Sequence, residues 1–273
     1  MNFDLRILGT ASAMPISDKN PSAQALQVQG RLFLIDCGEG VQQQIRRGHL
    51  SFLRIEAVFI SHTHGDHIFG LFGLLSTMAM CGRTATLLVF GPASLGKSID
   101  FYMDNFRDAK DAYAIEFHPV CTDGLQTVYE SKGLRVSAFP LSHGVETYGY
   151  RFDEILTERQ ASKHAPRSYA YCSDTRPFPE LSRYVAGVDV LYHESTYLQD
   201  MADKAAARFH STAMEAAECA RRAGARKLIL GHYSSRVRDY LLFEQEARTV
   251  FPESYAGQDF DVIEILPQSS SNE

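Results

Sequence analysis

The sequence has no apolar run of the ~18 residues that a membrane-spanning helix needs. Its start, Met1-Asn2-Phe3-Asp4, has neither the basic segment nor the apolar block of an export signal. Cysteine is scarce and scattered: Cys37, Cys81, Cys121, Cys172 and Cys219 form an odd set without one Cys-x-x-Cys pair. That excludes a disulfide framework and a cysteine-type zinc site, and fits thiols kept reduced in a cytoplasmic protein. An excess of positive charge is missing too. With 27 basic and 33 acidic residues the formal net charge is −6, which excludes a surface basic all over for nucleic acid but leaves room for a local basic groove. There is no internal repeat and no low-complexity run, and only Gln268 to Glu273 reads as a disordered tail. What remains, 45% hydrophobic and 22% charged, is the composition of a chain with a substantial core. We expect one domain over residues 1–267.

Against that background one stretch stands out. Ser61-His62-Thr63-His64-Gly65-Asp66-His67 packs three imidazoles and a carboxylate into the pattern His-x-His-x-Asp-His. The apolar, β-leaning Ala57 to Ile60 before it suits a buried strand, and Ile68 to Met80 after it suits a helix. Neutral imidazole and carboxylate are the ligands that Zn²⁺ and related divalent ions prefer. One tetrahedral ion could hardly use all four from so short a loop and keep a catalytic position open. Two neighbouring ions could share them, which points to two-metal hydrolysis. The plain alternative, a surface loop in which Asp66 caps the helix, leaves the histidines without a purpose.

Further along, strands end on groups of the same kind. Leu134 to Leu141 is followed by His143, Ser168 to Cys172 by Asp174, and Lys227 to Leu230 by His232. In α/β sheets ligands bind in the crevice at the carboxyl ends of strands, so these distant segments can converge with the first cluster. A lone histidine at a strand end is usually structural; three such positions added to the first cluster reverse that judgement. Two more clusters remain. His193-Glu194-Ser195-Thr196 follows the apolar run Val188 to Tyr192, and His210-Ser211-Thr212 precedes a helix over Ala213 to Ala223. Ser211 or Thr212 reads as a helix N-cap with Glu215 completing a capping box. Glu194 and His210 read as a carboxylate preparing an imidazole as a general acid. His49, His118 and His164 have no such context.

The series His62-x-His64-x-Asp66-His67, His143, Asp174 and His232 resembles the metallo-β-lactamase superfamily, and within it the ribonuclease Z family of tRNA 3′-end endonucleases. Asp36-Cys37-Gly38-Glu39-Gly40, Ser173-Asp174-Thr175-Arg176-Pro177, the His193-Glu194 element, His210-Ser211-Thr212 and Gly231-His232-Tyr233-Ser234-Ser235-Arg236 carry the likeness through nearly the whole chain. The resemblance implies an α/β fold, a four-layer αβ/βα sandwich. It also implies two Zn²⁺ ions, with Mn²⁺ or Fe as substitutes. His62, His64 and His143 would hold the first; Asp66, His67 and His232 the second; Asp174 would bridge them. Asp66 would accept a proton from the attacking water, and His210, oriented by Glu194, would assist the departing oxygen. Arg236, Ser234, Thr175 and Arg176 are candidates for substrate phosphate contact. The implied partners are RNA, chiefly precursor tRNA, and a second copy of the chain in a homodimer.

Several departures bear on the substrate. The family usually has a long Gly/Pro-rich arm that grips the tRNA body; the interval Arg151 to Arg167 is short and lacks glycine. Phe72 stands where Pro is common and Ser195 where Ala is common. The loop Pro15 to Ser22 keeps only Pro15, Lys19 and Asn20 of the family's substrate loop. A phosphodiesterase acting on a cyclic nucleotide or another small diester is therefore a second reading. A lactonase-type carbonyl hydrolase is a third, weakened by the Glu194–His210 pair. A non-catalytic RNA-binding scaffold is last, since all seven ligands are present.

Overall fold

The computed structural model describes residues 2–107 and 113–268. The chain lays down two seven-stranded sheets in succession. The first takes β1 (Phe3–Gly9), β2 (Ala23–Val28), β3 (Arg31–Ile35), β4 (Ile55–Phe59), β5 (Leu87–Pro92) and β6 (Ile115–Val120) in that order. The second takes β7 (Gln126–Ser131), β8 (Leu134–Pro140), β9 (Tyr148–Glu154), β10 (Ser168–Cys172), β11 (Val190–Glu194), β12 (Lys227–Gly231) and β13 (Ser254–Ala256), also in order. A last strand, β14 (Val262–Glu264), crosses back to pair with β1. The helices are α1 (Val41–Arg47), α2 (Gly65–Met80), α3 (Ser94–Asn105), α4 (Glu158–Ala161), α5 (Leu181–Tyr184), α6 (Ala202–Ala207), α7 (Ala213–Ala223) and α8 (Leu241–Arg248).

Three apolar clusters define four layers. Phe3, Leu5, Ile7, Phe33 and Phe59 of the first sheet meet Val136, Tyr150, Phe152, Tyr169 and Tyr192 of the second. The outer face of the first sheet packs on α1, α2 and α3 through Leu34, Val41, Leu71, Leu75 and Ile99. That of the second packs on α5, α7 and α8 through Ala170, Leu181, Ala216, Leu230 and Phe243. Strands buried on both faces read as continuous apolar runs, which is why Val58 to Ile60 and Leu228 to Leu230 show no alternation. The αβ/βα sandwich expected from the sequence is the fold observed.

Most elements lie where their residues suggest. Gln29 and Gly30, at φ 51° and 84°, make the tight turn between β2 and β3. Thr212 caps α7 and Glu215 closes the capping box. Others differ. The helix after the histidine loop begins at Gly65, so Asp66 and His67 lie in its first turn, and the capping position falls to His64, whose side chain makes no capping bond. The charged helix expected over Asp100 to Asp111 starts at Ser94, because Leu95, Ile99 and Tyr102 give it a buried stripe; its expected end lies outside the described residues. Of the expected tail, Gln268 is packed: its amide donates to Asp189 at 3.0 Å and its carbonyl accepts from Ala165 N–H. The remaining residues of that tail, 269–273, lie outside the described residues. Between β9 and β10 only residues 155–167 intervene, holding α4 and no extended arm.

Candidate metal centre

The site is assembled where the two sheets meet at one edge. The loop after β4 and the first turn of α2 supply His62, His64, Asp66 and His67. The ends of β8, β10 and β12 are followed by His143, Asp174 and His232. Close backbone contact fixes α2 there. Cys37 N–H donates to the His67 carbonyl at 2.7 Å and Gly70 N–H to the Cys37 carbonyl at 2.9 Å. A Cβ on Gly70 would lie 2.1 Å from the Gly38 carbonyl oxygen, so only glycine permits this approach.

The seven side chains sort into two sets. His62, His64, His143 and Asp174 each offer an atom within 4.8 Å of all the others, and so do Asp66, His67 and His232. In the first set His62 Nε2 lies 3.0 Å from His64 Nδ1, which lies 3.3 Å from His143 Nε2. Asp174 Oδ2 is 3.6 Å from His62 Nε2 and 3.8 Å from His143 Nε2. In the second set Asp66 Oδ2 is 3.4 Å from both His67 Nε2 and His232 Nε2. Asp174 Oδ1 is 3.5 Å from His67 Nε2 and 3.2 Å from His232 Nε2. The two oxygens of one carboxylate thus face the two sets separately.

These residues fit a divalent metal. Donors around one small tetrahedral ion stand about 3.3 Å apart. His67 Nε2 and Asp174 Oδ1 are buried without a hydrogen-bond partner, and orphaned polar atoms of this kind are rare unless something else pairs with them. Charge agrees. Burial lowers the His67 pKa, yet Asp66, Asp174 and Asp36 together carry it well above the usual imidazole value, so the cavity favours positive charge. His62 goes the other way, lowered by burial and by the neighbouring imidazole of His67.

Behind the ligands a second set of contacts aims them. Asp36, fully buried and at φ 54°, accepts from Ser61 N–H at 2.7 Å, the Ser61 hydroxyl at 2.8 Å, the Tyr171 hydroxyl at 2.6 Å and His67 Nδ1–H at 2.7 Å. His62 Nδ1 meets the Ser61 hydroxyl at 2.9 Å, His143 Nδ1 the Phe209 carbonyl at 3.0 Å, and His232 Nδ1 the Thr196 hydroxyl at 2.9 Å. Each contact leaves Nε2 facing the cavity. His232 and Phe209 are themselves in the left-handed region, at φ 59° and 58°, a strain that surrounding structure must hold in place. Asp36, Ser61 and Thr196 were not singled out by function from the sequence, although Asp36 before Cys37-Gly38 is a carboxylate at a strand end like Asp174.

Beside the metal sets lie Glu194 and His210. Glu194 has no solvent exposure and accepts from Thr175 N–H, Thr196 N–H and hydroxyl, Ser211 N–H and His210 Nδ1–H, the last at 2.8 Å. His210 also reaches within 4.8 Å of Asp174 and His232 donor atoms. Burial pulls the His210 pKa down, but the Glu194 charge outweighs it and raises it; in return His210 lowers that of Glu194 against its own burial. Asp66 is held by a further contact, from Ala13 N–H at 2.8 Å. Of the four phosphate candidates, Arg176 and Arg236 are exposed. Thr175 is fully buried, its hydroxyl accepting from Ser142 N–H and donating to the Arg176 carbonyl. Ser234 is buried and accepts from Arg236 N–H at 3.4 Å. These two are braces behind the surface.

A β-lactamase superfamily domain is matched over residues 31–233. Ribonuclease Z of Porphyromonas gingivalis is 37% identical over 296 residues, covering 94% of this chain and 97% of that protein. The chain belongs to the ribonuclease Z family. Ribonuclease Z of Bacteroides fragilis is 35% identical over 289 residues, covering 92% of this chain and 95% of that one. Among solved structures, human short-form tRNase Z superposes with a TM-score of 0.81 at 27% identity, covering 96% of this chain and 99% of that chain. The alignment with the Porphyromonas ribonuclease Z is longer than the 273 residues of this chain, so that relative carries segments absent here.

Proposed function

We propose that this protein is a metal-dependent endoribonuclease that removes 3′ trailers from precursor tRNA. The observation that carries the reading is the placement of one Asp174 carboxylate between two imidazole-rich sets, beside the Glu194–His210 pair, in a member of the ribonuclease Z family. In this reading His62, His64 and His143 would hold one Zn²⁺ and Asp66, His67 and His232 a second, with Asp174 offering one carboxylate oxygen to each set. When bound, the ions supply an activated water at neutral pH and neutralise charge on the phosphate. The chain's own residues do the rest. Asp66, anchored by Ala13 N–H, takes the proton released by the attacking water. Asp36 and Thr196 hold the His67 and His232 rings in the orientation that leaves Nε2 free. His210, its Nδ1–H fixed on Glu194, presents Nε2 to the departing oxygen and gives up a proton there. Arg176 and Arg236 contact the flanking phosphates.

No helix among the described residues is long and apolar enough to cross a membrane, and all five cysteines are free, which supports a cytoplasmic setting. A homodimer is the expected assembly, with the exposed Phe101–Phe106 pair on the outer helical layer as a candidate contact; light scattering measures it.

The test is a panel. The Zn²⁺-loaded protein is offered a precursor tRNA, bis(p-nitrophenyl) phosphate, a cyclic nucleotide and a lactone side by side. Cleavage of the precursor at the trailer junction supports the reading. Turnover of the small diesters alone replaces it with the small-substrate phosphodiesterase, the second reading, which the missing arm favours. Turnover of the lactone alone ends both.

A further inference from the structure

Three cations beside the site lack carboxylate partners. Away from the site several guanidiniums are paired: Arg135 with Glu130, Arg151 with Asp153, Arg221 and Arg222 with Glu218, Arg248 with Glu244. Lys204 on α6, Arg208 just after it and Arg236 in the loop beyond His232 form no ion pair among the described residues. Asp203, the one acid on α6, forms none with them either. Lys204 and Arg208 are one helical turn apart, Arg208 N–H donating to the Lys204 carbonyl at 3.2 Å, and after desolvation the like charges of Arg236 and Arg208 lower the Lys204 pKa. Like charges left facing one another cost stability in the free protein, and an anion placed among them repays it.

Their position is tied to the catalytic wall. His210 N–H donates to the Ala205 carbonyl of α6 at 2.9 Å, so α6 runs directly into the proposed acid. Ser234 N–H donates to the Thr196 carbonyl at 3.2 Å and its hydroxyl accepts from Arg236 N–H, which brings the third cation to the same side. An aromatic ring lies among them: Lys204 Nζ is 5.5 Å from the centre of Tyr197, whose ring is 6.2 Å from that of His210. The Tyr197 ring is buried and serves to seat Lys204 beside His210, and cations without ion-pair partners gathered there are a surface for a nucleic-acid backbone. In a chain of net charge −6 such a patch is local, next to a centre that cuts phosphodiesters.

We propose that Lys204 and Arg208, continued by Arg236, form the wall that binds the phosphates of the RNA body beside the scissile bond. It takes over gripping from an arm that the β9–β10 connection does not provide. The inference rests on the RNA reading above. A polyanion with charges strung along a backbone meets the three cations in turn, whereas a single small diester occupies only the metal centre.

The experiment compares wild type with a Lys204→Gln/Arg208→Gln double variant. Binding of a 3′-extended tRNA is followed by fluorescence anisotropy across a salt series, alongside cleavage of the same RNA and of bis(p-nitrophenyl) phosphate. Losing two phosphate contacts is expected to lower the slope of log affinity against log salt by about 2 and to weaken binding roughly tenfold or more at moderate salt. Small-diester turnover should stay within about twofold, since neither side chain reaches the reacting phosphate. An unchanged salt slope and affinity, in a wild type that cuts the precursor, overturns the α6 surface and leaves the ribonuclease reading standing. Wild type that turns over the small diester yet neither binds nor cuts the precursor removes both. Equal loss on both substrates assigns the two residues to the fold or the chemistry and also overturns the proposal.

Discussion

Residues at this site act in pairs, and the partner decides what each can do. His210 without Glu194 is an imidazole that burial would keep neutral; with it, the protonated form is favoured. His210→Ala should therefore keep its metal, by elemental analysis, while turnover falls by roughly 10²–10⁴; loss of metal would place His210 among the ligands. In the proposed role His210 acts in its protonated form, so activity is expected to persist below its pKa and to be lost as pH rises through it. Glu194→Gln removes the charge that raises that pKa, so the alkaline limb of the pH–rate profile should move to lower pH. A profile that only scales down would leave Glu194 a structural role. Asp36 does for His67 what Glu194 does for His210. Asp36→Asn should weaken metal binding by about 10–100-fold, read as a shift in zinc titration with the fold intact by circular dichroism.

At the scale of elements, the site depends on how closely α2 lies on the Asp36 to Gly40 turn. The first turn of α2 carries Asp66 and His67, and Gly70, one turn on, rests against the Gly38 carbonyl. A methyl group there forces the helix away from the turn. Gly70→Ala should cost about 1–3 kcal/mol in chemical denaturation, as overpacking does, and should lower metal affinity with it. Full stability with weaker metal binding would mean that the helix tilts without loss of packing. Strand ends were easy to read because β4, β10, β11 and β12 are apolar runs stopped by a polar group. β9 was harder: Tyr148 to Glu154 alternates, with charged Arg151 and Asp153 turned to the partly exposed face. β13 and β14 are three residues each, below what pattern can reveal.

At the scale of the molecule, the two sheets are joined by their shared aromatic core and by the site itself. His62, His64, Asp66 and His67 come from the first half, and His143, Asp174 and His232 from the second. Ions held by both halves would clamp them together. With metal present at about a hundred times its Kd, stability should rise by about 2.7 kcal/mol. Chelation should then lower Tm by roughly 5–10 °C in scanning calorimetry. A Tm indifferent to chelation, with metal verifiably removed, would show that the clamp carries no load.

The sequence by itself pointed to the chemistry: one imidazole at a strand end is usually structural, but imidazoles and carboxylates at the ends of several apolar runs, added to the His62–His67 cluster, suggest a divalent-metal site. The sandwich came from the resemblance to the metallo-β-lactamase superfamily, and strands apolar throughout, covered on both faces, agree with it. Only the tertiary structure decided which Asp174 oxygen faces which set, that Asp36 is the anchor behind His67, and that Thr175 is a brace. It alone set the Ser234–Arg236 loop on Thr196, beside the His210 wall that α6 runs into. Those are matters of direction and distance between segments far apart in the chain, and residue type and spacing carry no record of either.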